Sequence, residues 1–159
     1  MDNTRTILLP TNPEVIEKTK KTRVVVHTNR WFQCPVETQL DELRSKRMSS
    51  FIKAKLSGYK SQDIKKGLFD EAKFIDVDAT MNLIEACGAK CFYCREPVVL
   101  LYEQVREPKQ WTLDRIDNSF GHNADNVEVS CLSCNLRRKT MYHERYVFTK
   151  QLTIVKRDC

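Results

Sequence analysis

Residues 111–135 read WTLDRIDNSFGHNADNVEVSCLSCN. A run of strand-forming residues leads into a loop of Asn, Asp, Ser and Gly, then a short alternating run, then Cys-x-x-Cys. The composition and period-two alternation predict strands over 110–116 and 127–130, with turn-forming residues between them. The last cysteine pair, Cys131 and Cys134, opens a basic segment, CNLRRKTMYHERYVFTKQL, that reads as mostly helical.

A second pair, Cys91 and Cys94 in CFYC, lies upstream. Zinc prefers four soft ligands in a tetrahedron, and two tight turns can supply four thiolates. Two pairs in this order read as one four-cysteine site rather than as redox dithiols, since a redox reading of either pair leaves the other unexplained. A closed four-thiolate site has no open coordination position, so this zinc is expected to be structural. Between the pairs, VVLLYEQV at 98–105 has strand composition and predicts a further strand. Together these features predict an α+β fold with a treble-clef zinc module behind an N-terminal helical extension.

Three segments are expected. Residues 89–159 form the zinc module with its C-terminal helix, and 37–88 form a basic helical region. Residues 1–36 form an arm that is a strand, over TRVVVHTNRWF, or has no fixed structure. Within 37–88, Thr38 with Asp41 resembles a capping pair. A helix runs from Thr38 with an apolar stripe and a basic shoulder, and Gly58 is read as its end. SQDIKKGLF predicts a turn and a short helix. FIDVDATMNLIEACG predicts a third helix, with Asp76 as N-cap and Gly88 as its stop. Trp111, Tyr93 and Tyr142 are read as core. His27 is read as a surface or packing residue, His143 as surface, and Cys34 and Cys87 as half-buried thiols.

The chain has 159 residues, 41% hydrophobic and 30% charged, with a formal net charge of +6. That composition excludes a disordered chain. The positive balance suits a polyanionic partner, because neutralising phosphates releases counterions; solubility alone is the other reading. No apolar run approaches the roughly 20 residues needed to cross a bilayer, and the N-terminal residues lack the apolar stretch of a signal peptide. With seven cysteines, two Cys-x-x-Cys pairs and no secretory signal, the expected location is intracellular and reducing, a virus-infected host cell or virion included.

Asp114, Arg115, Asp117, His122, Asn126 and Asn135 lie in or just after the loop between the pairs. With the two cysteine pairs in register, this pattern resembles the HNH, or His-Me finger, endonuclease superfamily. The likeness is to recombination endonuclease VII-type and phage or large-virus HNH proteins, and it covers about residues 90–140. It implies a ββα-metal module that hydrolyses DNA phosphodiester bonds with one divalent cation, magnesium or manganese. It implies that Asp114 and Asn135 ligate that cation through oxygen, and that Asn126 props the loop and helps place the base. Arg137, Arg138, Lys139 and Arg145 would lie on or near the helix that follows the DNA, and a homodimer is possible. The departure is Arg115, which stands where the family carries its general-base histidine. Arginine does not give up its proton in proteins, though it can grip a phosphate bidentately. His122 is then the candidate base, and Asp117 the other candidate, as base or extra ligand. The competing readings are a zinc-stabilised nucleic-acid-binding protein without catalysis and a virion or assembly component.

Overall fold

A computed structural model describes residues 34–152. The expectations for the strand at TRVVVHTNRWF and for His27 lie outside the described residues. In chain order the elements are α1 (Val36–Asp41), α2 (Lys46–Lys66), α3 (Val77–Ala86), β1 (Trp111–Arg115), β2 (Val127–Cys131), α4 (Leu132–Arg138) and α5 (His143–Gln151). The fold is mixed α+β around one small two-stranded sheet.

The N-terminal helix differs from the sequence expectation. Thr38 and Asp41 cap nothing; α1 begins after Pro35 without a side-chain cap and is over by Asp41. The long helix starts instead at Ser45, whose hydroxyl accepts from the Met48 amide at 3.1 Å. It runs on through Gly58, the residue read as its end, and absorbs the segment read as a separate turn and short helix. It stops at Gly67, which takes the left-handed conformation at φ +69°. A glycine inside a helix costs only about 1 kcal/mol relative to alanine. Burial of Met48, Ile52 and Leu56 at fourfold spacing readily offsets that cost. Gly58 is exposed, and a Cβ at that position would meet nothing within 4 Å. Gly58→Ala should therefore raise stability by about 0.5–1 kcal/mol. Urea unfolding checks this, and a loss would contradict a continuous helix.

α3 forms as expected. The Asp76 carboxylate accepts from the Ala79 amide at 2.7 Å, and Gly88 follows the last turn at φ +60°. Met81 and Ile84 bury its apolar face.

β1 and β2 pair antiparallel, with Leu113 opposite Val129 and Asp114 opposite Glu128. The two-residue period sorts the side chains. Leu113 and Val129 join Trp111, Val127, Ile52 and Ile84 in a hydrophobic cluster that extends from Leu43 to Tyr146. Thr112, Asp114 and Ser130 are polar and also buried. The strand expected over 98–105 is not there. Val98, Val99, Leu100 and Leu101 are all buried in succession, so they fill the core as irregular chain, tied to the sheet by the Trp111 amide donating to the Val99 carbonyl. β-Branched composition signalled burial at this site rather than a ladder. No helix among the described residues is long and apolar enough to cross a membrane.

Candidate functional site

The four cysteines converge. Cys91, Cys94, Cys131 and Cys134 bring their Sγ atoms within 4.8 Å of one another, and Cys94 and Cys131 stand 4.0 Å apart. Tetrahedral zinc with bonds of about 2.3 Å needs sulfur–sulfur edges of about 3.8 Å, so the residues fit the ion with little adjustment. The first turn is hydrogen-bonded to the sheet through the Phe92 amide and the Val129 carbonyl, 2.8 Å. In the second, Cys131 ends β2 and serves as the N-cap of α4. A hydrogen bond from Cys131 holds the Cys91 thiol down to about 4, while burial pushes Cys134 up to about 11. Sulfurs this crowded share their charge poorly until a cation neutralises it. Cys34 and Cys87 are half-buried and apart from this cluster.

Next to the sulfur cluster, the sheet and α2 form a cleft of about 380 Å³. Its walls include Asp114, Arg115, His122, Asn135 and Lys139, together with Lys55, Tyr59 and Lys66 from the long helix. Five residues singled out in the sequence therefore meet in one place, and α2 contributes four that were not, Gln62 being the fourth.

His122 is 5% exposed and Asp63 fully buried. The imidazole Nδ1 lies 2.9 Å from both Asp63 carboxylate oxygens, and the His122 backbone amide donates to Oδ2 at 2.7 Å. The ring stacks on Tyr59 with centroids 4.5 Å apart. Gly121 permits this approach: a Cβ there would meet the Leu68 carbonyl at 2.5 Å and Asp63 Oδ2 at 2.9 Å. Donation from Nδ1 to Asp63 leaves the lone pair on Nε2, an atom with no hydrogen-bond partner among the described residues. Burial lowers the imidazole pKa below its ordinary value, and Arg115 and Lys66 add to this, against the opposing pull of Asp63. Burial thus favours the neutral form of the imidazole.

Lys55, Tyr59 and Asp63 follow one another at fourfold spacing, so they share one face of α2. That face covers the free edge of β1. Tyr59 Oη accepts from the Leu113 amide at 3.2 Å, and Lys55 Nζ donates to the Trp111 carbonyl. The Lys55 ammonium also sits 4.4 Å from the Trp111 ring, and burial lowers its pKa to about 7. Asp63 is the functional residue that sequence reasoning missed. Its signal was the continuation of this stripe past Gly58.

Asp114 departs from the expected role of cation ligand. Its side chain is buried, its Oδ1 accepts from Arg138 Nη1 at 2.9 Å, and its Oδ2 accepts from Tyr93 Oη at 2.6 Å. The guanidinium neutralises the carboxylate, and both oxygens are engaged, which does not fit a ready-made divalent-cation site. Asn135 donates its Nδ2 to Thr112 Oγ1 at 3.1 Å, so its amide oxygen alone is open to a ligand.

Arg138, expected on a nucleic-acid-binding face, is buried instead. It is 2% exposed and donates to the carbonyls of Arg115 (2.7 Å) and Ile116 (2.9 Å) as well as to Asp114. Replacing it leaves Asp114 buried without a counter-charge. We expect Arg138→Met to cost about 3–5 kcal/mol in urea unfolding, whereas Arg137→Ala, at an exposed position, should cost under about 0.5 kcal/mol. Equal losses in the two would refute this division of roles. Arg137, Lys139 and Arg145 remain exposed.

The other candidates separate clearly. Asn126 is the prop of the loop: it accepts from the Asp117 amide and donates to the carbonyls of Asp117 and Gly121, all within 3.0 Å. Asp117 is exposed and turns the loop by accepting from the Ser119 amide, the bond that lowers its pKa. Expected as a base or an extra ligand, it does not line the cleft that His122 lines. Arg115 lines the cleft while its Nη1 donates to the Phe120 carbonyl at 3.1 Å. Trp111 and Tyr93 are core, as expected, but Tyr142 is 80% exposed. His143, read as surface, is half-buried and stacks on Phe92 at 4.9 Å.

Comparison with protein-family profiles, with curated proteins and with solved structures finds no match for this chain.

Proposed function

We propose that the chain is an HNH-type endonuclease, built on a treble-clef zinc module, that hydrolyses DNA phosphodiester bonds. The observation that carries this reading is the Asp63–His122 pair, which turns a neutral imidazole Nε2 into a cleft walled by Arg115, Lys66 and Lys139. In this reading His122 Nε2 takes a proton from water, and the water oxygen attacks phosphorus as the bond to the leaving ester oxygen breaks. The arginine and lysines stabilise the charge gathering on the phosphoryl oxygens. Asp63 is a positioning residue, holding the tautomer and ring orientation. Arg115, on this account, replaces the family's histidine with a phosphate-binding cation while the base moves to the loop. A magnesium or manganese ion, when bound, would be held by the Asn135 amide oxygen and the substrate phosphate, since both Asp114 oxygens are engaged, and would supply Lewis-acid stabilisation of the phosphoryl oxygens.

A second reading has its own support. The clamp of Arg138 and Tyr93 on Asp114 suits a zinc-stabilised nucleic-acid-binding protein that has no catalytic cation. Incubating the purified protein with supercoiled DNA, with magnesium, with manganese and with chelator, separates the two. Nicking by the wild type and its loss in His122→Ala support the nuclease. An inactive wild type that binds DNA under every condition supports the second reading.

A further inference from the structure

A second cavity, of about 620 Å³, adjoins the cleft and shares Gln110, Leu132 and Leu136 with it. The volume falls within the range of about 300–1,000 Å³ that small-ligand sites occupy. Its chemistry differs from that of the cleft. Val105 (86% exposed), Leu136 (63% exposed) and Leu132 present apolar surface, and Arg106 and Arg137 line the same recess. Neither arginine has an ion-pair partner among the described residues. Together these side chains give the recess an apolar wall open to solvent.

We propose that this recess is a subsite for an unpaired nucleobase, so that the preferred substrate is a single-stranded or locally unpaired nucleic acid. The inference rests on the cleft beside it binding the phosphate backbone. Two properties select the occupant. The recess adjoins the cationic cleft, with Gln110, Leu132 and Leu136 lining both, so a strand whose phosphate lies near His122 would bring a neighbouring base to α4. It also combines apolar walls with two cations, which matches a flat apolar ring flanked by phosphates. A paired duplex keeps its bases stacked inside and offers a concave apolar wall nothing to bury; an unstacked base fills it.

The test is fluorescence anisotropy with three labelled probes of one length: a single-stranded oligonucleotide, a strand of abasic residues and a blunt duplex. The variant is Val105→Ala, at an exposed position outside the cleft where truncation leaves the core intact. Wild type should bind the base-bearing strand about tenfold tighter than the abasic strand. The variant should lose that advantage and keep its affinity for the abasic strand. Equal affinity for base-bearing and abasic strands, or tighter binding to the duplex, would overturn the proposal. So would light scattering showing a dimer that the variant dissociates, because the recess would then seat a second copy. Cleavage is scored separately with the same probes and His122→Ala. Duplex cleavage unaffected by the variant sinks the base subsite and spares the nuclease; base-selective binding without cleavage does the reverse.

Discussion

Stripping zinc from the protein should unfold it. The four sulfurs are the meeting point of the chain: Cys91 and Cys94 turn it after α3, and Cys131 and Cys134 join β2 to α4. The sheet they tie has only two strands of five residues each, too little to stand alone. Structural zinc sites contribute apparent free energies of about 10–16 kcal/mol at pH 7 in small domains, comparable to the whole stability of an ordinary domain. The damage would also extend beyond the sulfurs. Tyr93 lies inside the first cysteine turn and Arg138 one turn after the second, and both hold Asp114. We expect a strong chelator to lower the melting midpoint by more than about 20 °C, with recovery when zinc is returned. Each thiol must lose a proton to bind, so the effect of zinc should weaken as pH falls. Circular dichroism and melting unchanged by metal removal would show that the apolar cluster suffices and that the cysteines are ordinary buried thiols.

Cys-x-x-Cys spacing made the sulfur cluster legible because such turns are local: four residues fix their own geometry. The same holds for Asp76 as N-cap and for the alternation that marks β1 and β2. Errors arose where a local signal met a tertiary one. Gly58 is a poor helix former, but helix propensity is a small term beside the burial of Ile52 and Leu56 in the two turns before it. Val98 to Leu101 carry strand composition, yet all four are buried, and composition does not distinguish a ladder from core filling. Arg138 sits in a run of three cations, Arg137, Arg138 and Lys139. Only the helical turn decides which one points inward, and Asp114 lies on that side. The candidate site was legible as a set of polar residues in one loop. The partnerships of Asp114 with Arg138, and of His122 with Asp63, required the third dimension because they join residues 24 and 59 positions apart.

The Asp63–His122 pair yields the sharpest catalytic prediction. His122→Ala should reduce cleavage by about 10²–10⁴-fold, the range for losing a general base. Asp63→Asn should come close to the same loss for a different reason. Asp63 accepts from Nδ1, so the base lone pair is on Nε2. An asparagine that turns its amide N–H toward Nδ1 makes that atom the acceptor, moves the ring proton to Nε2 and leaves no lone pair facing the cleft. The double variant should then be no worse than His122→Ala alone, because the two residues act as a unit. The pH profile adds a readout that a purely structural role would not move. With the imidazole pKa depressed by burial, wild-type kcat/KM should fall in acid with a midpoint below about 6.5, the ordinary imidazole value. The sign for stability is the same. The unfolded chain binds the proton first, near 6.5, so the contribution of neutral His122 is full above that value and is lost as pH falls toward the folded pKa. If Asp63→Asn keeps full activity while His122→Ala is dead, the carboxylate only packs against the ring. If both variants retain wild-type rates, the imidazole has no part in the reaction and the cleft binds nucleic acid without cutting it.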